Sequence, residues 1–400
     1  MEGLTEFRNI QPEKDIINEV ITLPCNLLSK EQIKQTLIEN KYSFLHIENP
    51  IDEEVEKSDD GTYQKGRYHL ERMLRQEIFK ETKEECMYIY RFMMNQRIYC
   101  GLICCISIEE YKKKNIKPHE RIRKEKVRQR KEHIKACGVH TSPVTLIYNK
   151  YKAIDTWLFE YTNENKAIYS FNGPDGMKHE VFKVANRCDI TYIKRMFEKI
   201  DTMYIADGHH RMQATLELSQ ETNKEMKILS ILFGTEELAV QGYNILVEHN
   251  TKLSEQEFFF LLKDKFEICK VDSEFYEPNH SHVFGMRYKK EWYELKLREE
   301  YKKSLQGIEK VDSYLLYQYI LKPVIGITNI EEDPRVDFIE GSKGILILNE
   351  KVDKEDKIAF SVFPVEIQDI IQLSNQGEVM PPKSTCFEPK IYNGLFICNI

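Results

Sequence analysis

Hydrophobic and polar positions alternate along this chain between a strand-like and a helix-like period. Residues 87–92 (Met-Tyr-Ile-Tyr-Arg-Phe) and 97–106 are apolar runs rich in β-branched and aromatic residues, and their closeness predicts two paired strands. Residues 42–47, 203–206 and 228–233 predict further short strands, and 292–297 alternates as one. Ser29 followed by Lys30, Glu31 and Gln32 predicts a capped helix start. Met212, Ala214, Leu216 and Leu218 lie in a predicted helix over 211–218, residues 258–266 predict another, and 311–321 a third that stops before Pro323. The polar stretches 52–61, 162–166 and 220–227 are expected to be loops or helix ends. There is no internal repeat and no long low-complexity linker. The mixture predicts an α+β or α/β fold, and 400 residues favour two or three lobes.

Composition narrows the classes of partner. Hydrophobic residues make up 41% and charged residues 31%, an ordinary globular balance, and a net charge of −7 gives no reason to expect nucleic acid as the main partner. No run approaches the ~20 apolar residues a bilayer span needs. The polar, acidic first 15 residues lack the form of a secretory signal, so a cytoplasmic location without membrane attachment is expected. The ten cysteines form no Cys-x-x-Cys pair, which predicts reduced thiols and no zinc site. Walker and Gly-x-Gly-x-x-Gly loops are absent.

The sharpest chemical signal follows the predicted strand 203–206: Asp207, Gly208, His209, His210 and Arg211, leading into a helix. Glycine at such a turn lets a ligand approach the backbone, and the first helical turn offers unpaired N–H groups and a positive dipole end to a phosphate. Arg211 sits poorly for that dipole unless it pairs with an anion. Asp207 suits either Mg²⁺ or a proton, and His209 and His210 suit donation to phosphate oxygens. The bland alternative is a turn with a capping aspartate and two solvated histidines.

Two other segments stand out. Pro118, His119 and Glu120 precede a basic stretch predicted to be helical, in which Arg123, Lys126 and Arg130 share one face; such a face concentrates a small polyanion, or is simply solvated. Glu120 suits a general base or a capping carboxylate. Near the C-terminus, Met380, Pro381 and Pro382 stiffen the approach to Lys383, Ser384 and Thr385, one ammonium and two hydroxyls. Isolated histidines such as His46 and His249 are read as structural.

These segments, in this order, resemble the free-serine kinases with a ParB/sulfiredoxin-like core, and more closely the pyrophosphate-dependent serine kinases of about this length. The resemblance rests on Ala-Asp-Gly-His-His-Arg ending at Arg211 and on Met-Pro-Pro-Lys-Ser-Thr ending at Thr385. It extends to Pro118-His119-Glu120, Ser142-Pro143, Tyr243-Asn244 and Gly394-Leu395-Phe396. It implies an α+β fold in which a ParB/sulfiredoxin-like catalytic core is elaborated into a two-lobed mixed α/β protein. Residues 1–235 would hold the phosphate-binding core, and residues 236–400 a C-terminal lobe returning 380–390 to the active site. It implies transfer of a phosphoryl group from pyrophosphate to free L-serine with Mg²⁺ as counter-charge.

In that reading Gly208, His209, His210 and Arg211 hold the donor, flanked by His119, Lys126, Arg130 and Lys383. Ser384 and Thr385 bind phosphate oxygens, Asp207 holds the metal or positions the nucleophile, and Glu120 is the general base. Pro24-Cys25-Asn26 departs from the family's Pro-Tyr-Asp. ADP or ATP as donor and a ParB-like nucleotide- and DNA-binding switch stay open as alternatives, as does the oligomeric state. A sulfiredoxin-like reaction lacks its cysteine, whose place His209 takes.

Overall fold

The computed structural model describes residues 1–49, 59–94, 96–173, 176–248, 253–341, 345–355, 357–381 and 383–400; His249, Pro382 and most of 52–61 lie outside these. The fold is mixed α/β, with four sheets among the described residues. It forms two compact units, the first comprising 1–118, 122–238 and 389–400, the second 119–121 and 239–388. The chain therefore passes between units at two of the segments singled out from sequence, 118–120 and 380–390. The boundary expected at 235/236 stands beside one at 238/239, with 119–121 in the second unit and the last twelve residues in the first.

The first unit is built on a nine-stranded sheet of β1 (Leu4–Thr5), β2 (Met87–Met94), β3 (Arg97–Ser107), β4 (Ile116–Lys117), β5 (Val144–Tyr148), β6 (Tyr169–Asn172), β7 (Lys178–Val184), β8 (Met203–Asp207) and β9 (Lys227–Gly234). Their order is β4-β8-β5-β9-β3-β2-β7-β6, with β1 on β3. The β4–β8 and β5–β9 pairs are parallel, the others antiparallel. The predicted pairing of 87–92 with 97–106 is the β2–β3 ladder, which sets Tyr90 opposite Gly101. Strand β3 is buried continuously from Tyr99 to Ile106, so it reads as an unbroken apolar run rather than an alternation. Gly101 is required here, because a Cβ would lie 2.5 Å from Cε1 of Phe233 on β9. Leu102, Leu146, Ile205 and Leu232 pack with Leu158, Ile193 and Phe197 into one core, each side chain contributing about 1.5–3 kcal/mol by leaving water. In a second, four-stranded sheet of this unit the C-terminal strand Ile397–Asn399 lies between Asn9–Pro12 and Val139–His140.

Four helices bear on the site: α1 (Lys30–Glu39), α2 (Leu45–Glu48), α3 (Lys124–Cys137) and α4 (His209–Thr222). Ser29 caps α1 through a reciprocal box with Gln32. The strand expected at 42–47 is instead the turn into α2. Asn40 Oδ1 accepts the Tyr42 N–H (2.9 Å) and Ser43 Oγ the Leu45 N–H (3.3 Å), and these local bonds commit the backbone to a helix start.

The second unit carries a six-stranded antiparallel sheet of β10 (Tyr243–Glu248), β11 (Phe266–Val271), β12 (Val283–Tyr288), β13 (Glu291–Leu297), β14 (Val336–Glu340) and β15 (Lys357–Val362). The order is β11-β13-β12-β15-β10-β14. Helices α5 (Glu255–Lys265) and α6 (Asp312–Leu316) pack on it through Phe258, Leu262, Leu315 and Leu316. The helix expected to end before Pro323 does not: after α6 the chain widens into a π-helical stretch, Tyr317–Ile325, that runs through Pro323. Hydrogen bonds reaching back five residues open a wider ring there, which spares the proline its clash with the preceding turn.

Candidate functional site

Strand β8 ends in a register shift against β5 between Ile205 and Asp207. Such a bulge re-aims the side chain that follows it, here the carboxylate of Asp207. Gly208 then adopts φ 97°, and a Cβ on it would stand 3.0 Å from Nε and Nη2 of Arg211 and 3.1 Å from Val144. Glycine is thus demanded by both conformation and space, and it starts α4 without a side-chain cap. The N–H groups of a helix's first turn have no partner within the helix itself.

Arg211 lies across this turn. Its Nη1 donates to Ser142 Oγ and to the Pro143 carbonyl (2.7 Å), and its Nη2 to Asp207 Oδ2 (2.9 Å). The anion that Arg211 was expected to meet is, in this structure, Asp207. Burial works to raise the Asp207 pKa, but the charges of Lys390, Arg211 and His209 and the Gly208 N–H outweigh it and bring it to about 2. Its side chain keeps 51% of its exposure, so the ionised carboxylate also reaches solvent.

Helix α3 packs beside α4 and brings Arg123, Lys126 and Arg130 to one side of His210. The Arg123 N–H donates to His210 Nε2 (3.2 Å), which places that ring's proton on Nδ1. Burial, then the charges of Arg123, Arg130 and Lys126, lower the His210 pKa to about 4. At neutral pH His210 is an uncharged donor. His209 is buried, and Lys126 and Arg123 are exposed.

The first unit thus brings together Asp207, Gly208, His209, His210, Arg211, Lys126 and Arg130 and adds residues not singled out from sequence. Lys390 stands by Asp207, and Ser142 anchors Arg211. Glu48 Oε1 lies 3.9 Å from Arg130 Nη1, and Glu48 Oε2 accepts the Asn393 side-chain amide. Cys25 lies against the same carboxylate, and burial followed by the Glu48 charge pushes its thiol well up. Only Ser142, Cys25 and Lys390 belonged to segments noticed in the sequence; Glu48 and Asn393 are single polar residues with no local pattern to mark them.

The second unit assembles another group by itself. His119 accepts the Met380 N–H through its carbonyl (2.9 Å), Glu120 bridges to Met380, and His119 Nε2 meets Thr385 Oγ1 at 3.0 Å. Ser384 is buried; its hydroxyl donates to the Pro381 carbonyl (2.8 Å), so Ser313 donates to it in turn (2.6 Å). Ser384 therefore fastens the loop with the hydroxyl expected to meet phosphate. Lys383 takes φ 57°, the left-handed region, with its ammonium 4.8 Å from the Tyr243 ring centre.

No group of three or more His, Cys, Asp or Glu side chains among the described residues could hold a metal ion. A magnesium ion at Asp207 would take most of its ligands from phosphate and water, which is how such ions are commonly held. All ten cysteines are free thiols, and no helix among the described residues is long and apolar enough to cross a membrane.

A family model described as "Protein of unknown function (DUF1015)" matches residues 4–314. No curated protein matches the chain. Among solved structures, a free serine kinase in complex with AMP is 14% identical with a TM-score of 0.39, over 74% of this chain and 91% of that one. A conserved hypothetical protein from Pyrococcus furiosus is 13% identical (TM-score 0.37, 74% and 94%). SbnI with a C-terminal truncation, from Staphylococcus aureus, is 10% identical (TM-score 0.40, 74% and 86%). At these identities and TM-scores the likeness is too slight to carry chemistry across.

Proposed function

The chain belongs to the DUF1015 family, and we propose that it is a phosphotransferase acting on the hydroxyl of a small molecule, most specifically a pyrophosphate-dependent kinase of free L-serine built on a ParB/sulfiredoxin-like core. The observation that carries the proposal is the convergence at one helix start. The first turn of α4, an ionised Asp207 and the cations Arg123, Lys126, Arg130 and Lys390 all suit a compact polyanion. The motif resemblance in the sequence supplies serine and pyrophosphate.

In the reaction the serine hydroxyl oxygen bonds to the terminal phosphorus while the bridging P–O bond breaks, giving O-phosphoserine and inorganic phosphate. The hydroxyl proton passes to a carboxylate, assigned to Glu120. Backbone N–H groups of the α4 start and the neutral His210 donate to the donor's oxygens, and the α3 cations offset the charge that builds on the leaving phosphate. Arg211 keeps Asp207 oriented. Magnesium bound with the donor supplies further counter-charge, and Asp207 would hold it. His119, Lys383, Ser384 and Thr385 keep supporting roles in this reading.

The test is formation of O-phosphoserine from L-serine and Mg²⁺ with pyrophosphate, ADP or ATP, run beside Asp207→Ala. Product from pyrophosphate, abolished in the variant, is the expected result. Product from a nucleotide alone would change the donor, and no product from any donor would sink the serine-kinase reading.

A further inference from the structure

We infer that Glu48 is a positioning residue that sets how tightly the cationic face of α3 holds phosphate. The inference rests on the phosphate-transfer reading above. Glu48 keeps only 5% of its side-chain exposure, which makes it a buried carboxylate rather than a surface one. A buried charge is retained at a cost unless it is paired and hydrogen-bonded. Its Oε2 is fixed by the Asn393 amide, and the Asn393 backbone is itself fixed by a reciprocal pair with Thr22 (3.2 and 2.9 Å). Its Oε1 faces Arg130 Nη1 at 3.9 Å, within ion-pair range but beyond hydrogen-bond length. Arg130 keeps 39% of its exposure, and its charge reaches both His210 and Arg211.

One partner is therefore clamped, and the other is held to it by charge without a hydrogen bond. Glu48 attracts Arg130 without capturing it, so the guanidinium stays near the α4 start and can turn to an arriving phosphate. The same negative charge opposes that phosphate, which weakens its hold and favours release of the phosphate product. Without Glu48, the site would keep its cations and lose one of the two carboxylates beside them.

The sign of the effect separates this role from a merely structural one. Binding of inorganic phosphate to the full chain is measured by calorimetry for the wild type, Glu48→Gln and Asn393→Ala, with thermal melting alongside. Glu48→Gln, which keeps the shape and an amide for Asn393, should bind phosphate about threefold to tenfold more tightly, the size expected of one nearby charge at an effective protein dielectric. Its turnover should then fall together with its KM, a signature that a purely structural loss would not give. Asn393→Ala should do the opposite: the released carboxylate closes on Arg130, and phosphate binds several-fold more weakly. Equal or weaker binding by a normally melting Glu48→Gln would overturn the inference while leaving the phosphate site in place. If Glu48→Gln does not fold, Asn393→Ala decides, and unchanged phosphate affinity there overturns it. A wild type that binds no phosphate would sink the phosphate-site reading and this inference with it.

Discussion

In the first unit, Asp207, Gly208, His209, His210 and Arg211 are neighbours in sequence, and one strand, one glycine and one helix place them. In the second, His119 and Glu120 meet Met380 and Thr385 across more than 250 residues of chain, and the hydroxyls of Ser384 and Thr385 are already engaged with protein partners. The first group gathers a helix start, a half-exposed carboxylate and several cations. The second spends much of its capacity on holding a loop. Contiguity in sequence thus marks where charge is presented, and long-range polar contacts mark where a loop is fixed.

The sharpest way to break this comparison is Asp207→Asn. The amide can still accept from Arg211, so folding should persist while phosphoryl transfer falls by roughly 10²–10³-fold, as for loss of a preorganised charge in other sites. Purified variant with a wild-type melting curve and near wild-type rate would show that the charge of Asp207 is not used. Gly208→Ala tests the same turn through the backbone. A left-handed residue with a Cβ costs about 1–2 kcal/mol, and the 3.0 Å approach to Arg211 adds to that. The denaturant midpoint should drop accordingly, and transfer should fall with it.

A pH series probes the electrostatics of the first group. The folded-state pKa of His210 is lowered to about 4 from an ordinary value near 6.5, so its neutral form is the one that folding favours. The stability it contributes is present above about pH 6.5 and is lost as pH falls toward 4. His210→Gln should therefore flatten the loss of stability between those limits, read as denaturant midpoints at pH 7 and pH 5. An unchanged slope would mean that burial and the three cations together do not hold the imidazole neutral.

How much of this was legible in sequence follows from the same contrast. The β2–β3 pair, β8 and α4 were readable because the strands are apolar runs rich in β-branched and aromatic residues and an Asp-Gly turn separates β8 from α4. The run 42–47 misled because the local bonds of Asn40 and Ser43 override its apolar, β-rich composition. Pro323 misled because a π-helical stretch accommodates what an α-helix would not. Glu48 and Asn393 reach the site from distant segments as single residues. The second core strand Ile397–Asn399, which brings the last of these back, is only three residues long.

Ser384→Ala tests the second group's hydroxyl. Removing it leaves the Pro381 carbonyl and Ser313 short of a partner, a cost of about 1 kcal/mol in stability. The rate under saturating donor should change by less than about threefold, since a neutral hydroxyl already bonded within the protein has little left to give a phosphate. A loss as large as that of Asp207→Asn would erase the distinction between the two groups.

Lys383 is where the second group carries strain, and two substitutions divide its backbone from its charge. At φ 57° a residue with a Cβ pays about 1–2 kcal/mol that glycine does not, while glycine gives back roughly 0.5–1 kcal/mol in chain entropy. Lys383→Ala and Lys383→Gly both delete the ammonium and its contact with Tyr243, so they should lose the same activity. They should differ in stability, the glycine variant being the more stable by about 0.5–1 kcal/mol on that difference. Equal midpoints would mean the left-handed turn costs nothing and Lys383 is set there by the loop alone. A gap with equal activities would mean the loop tolerates strain in order to hold an ammonium in place, the pattern expected where a strained residue serves function.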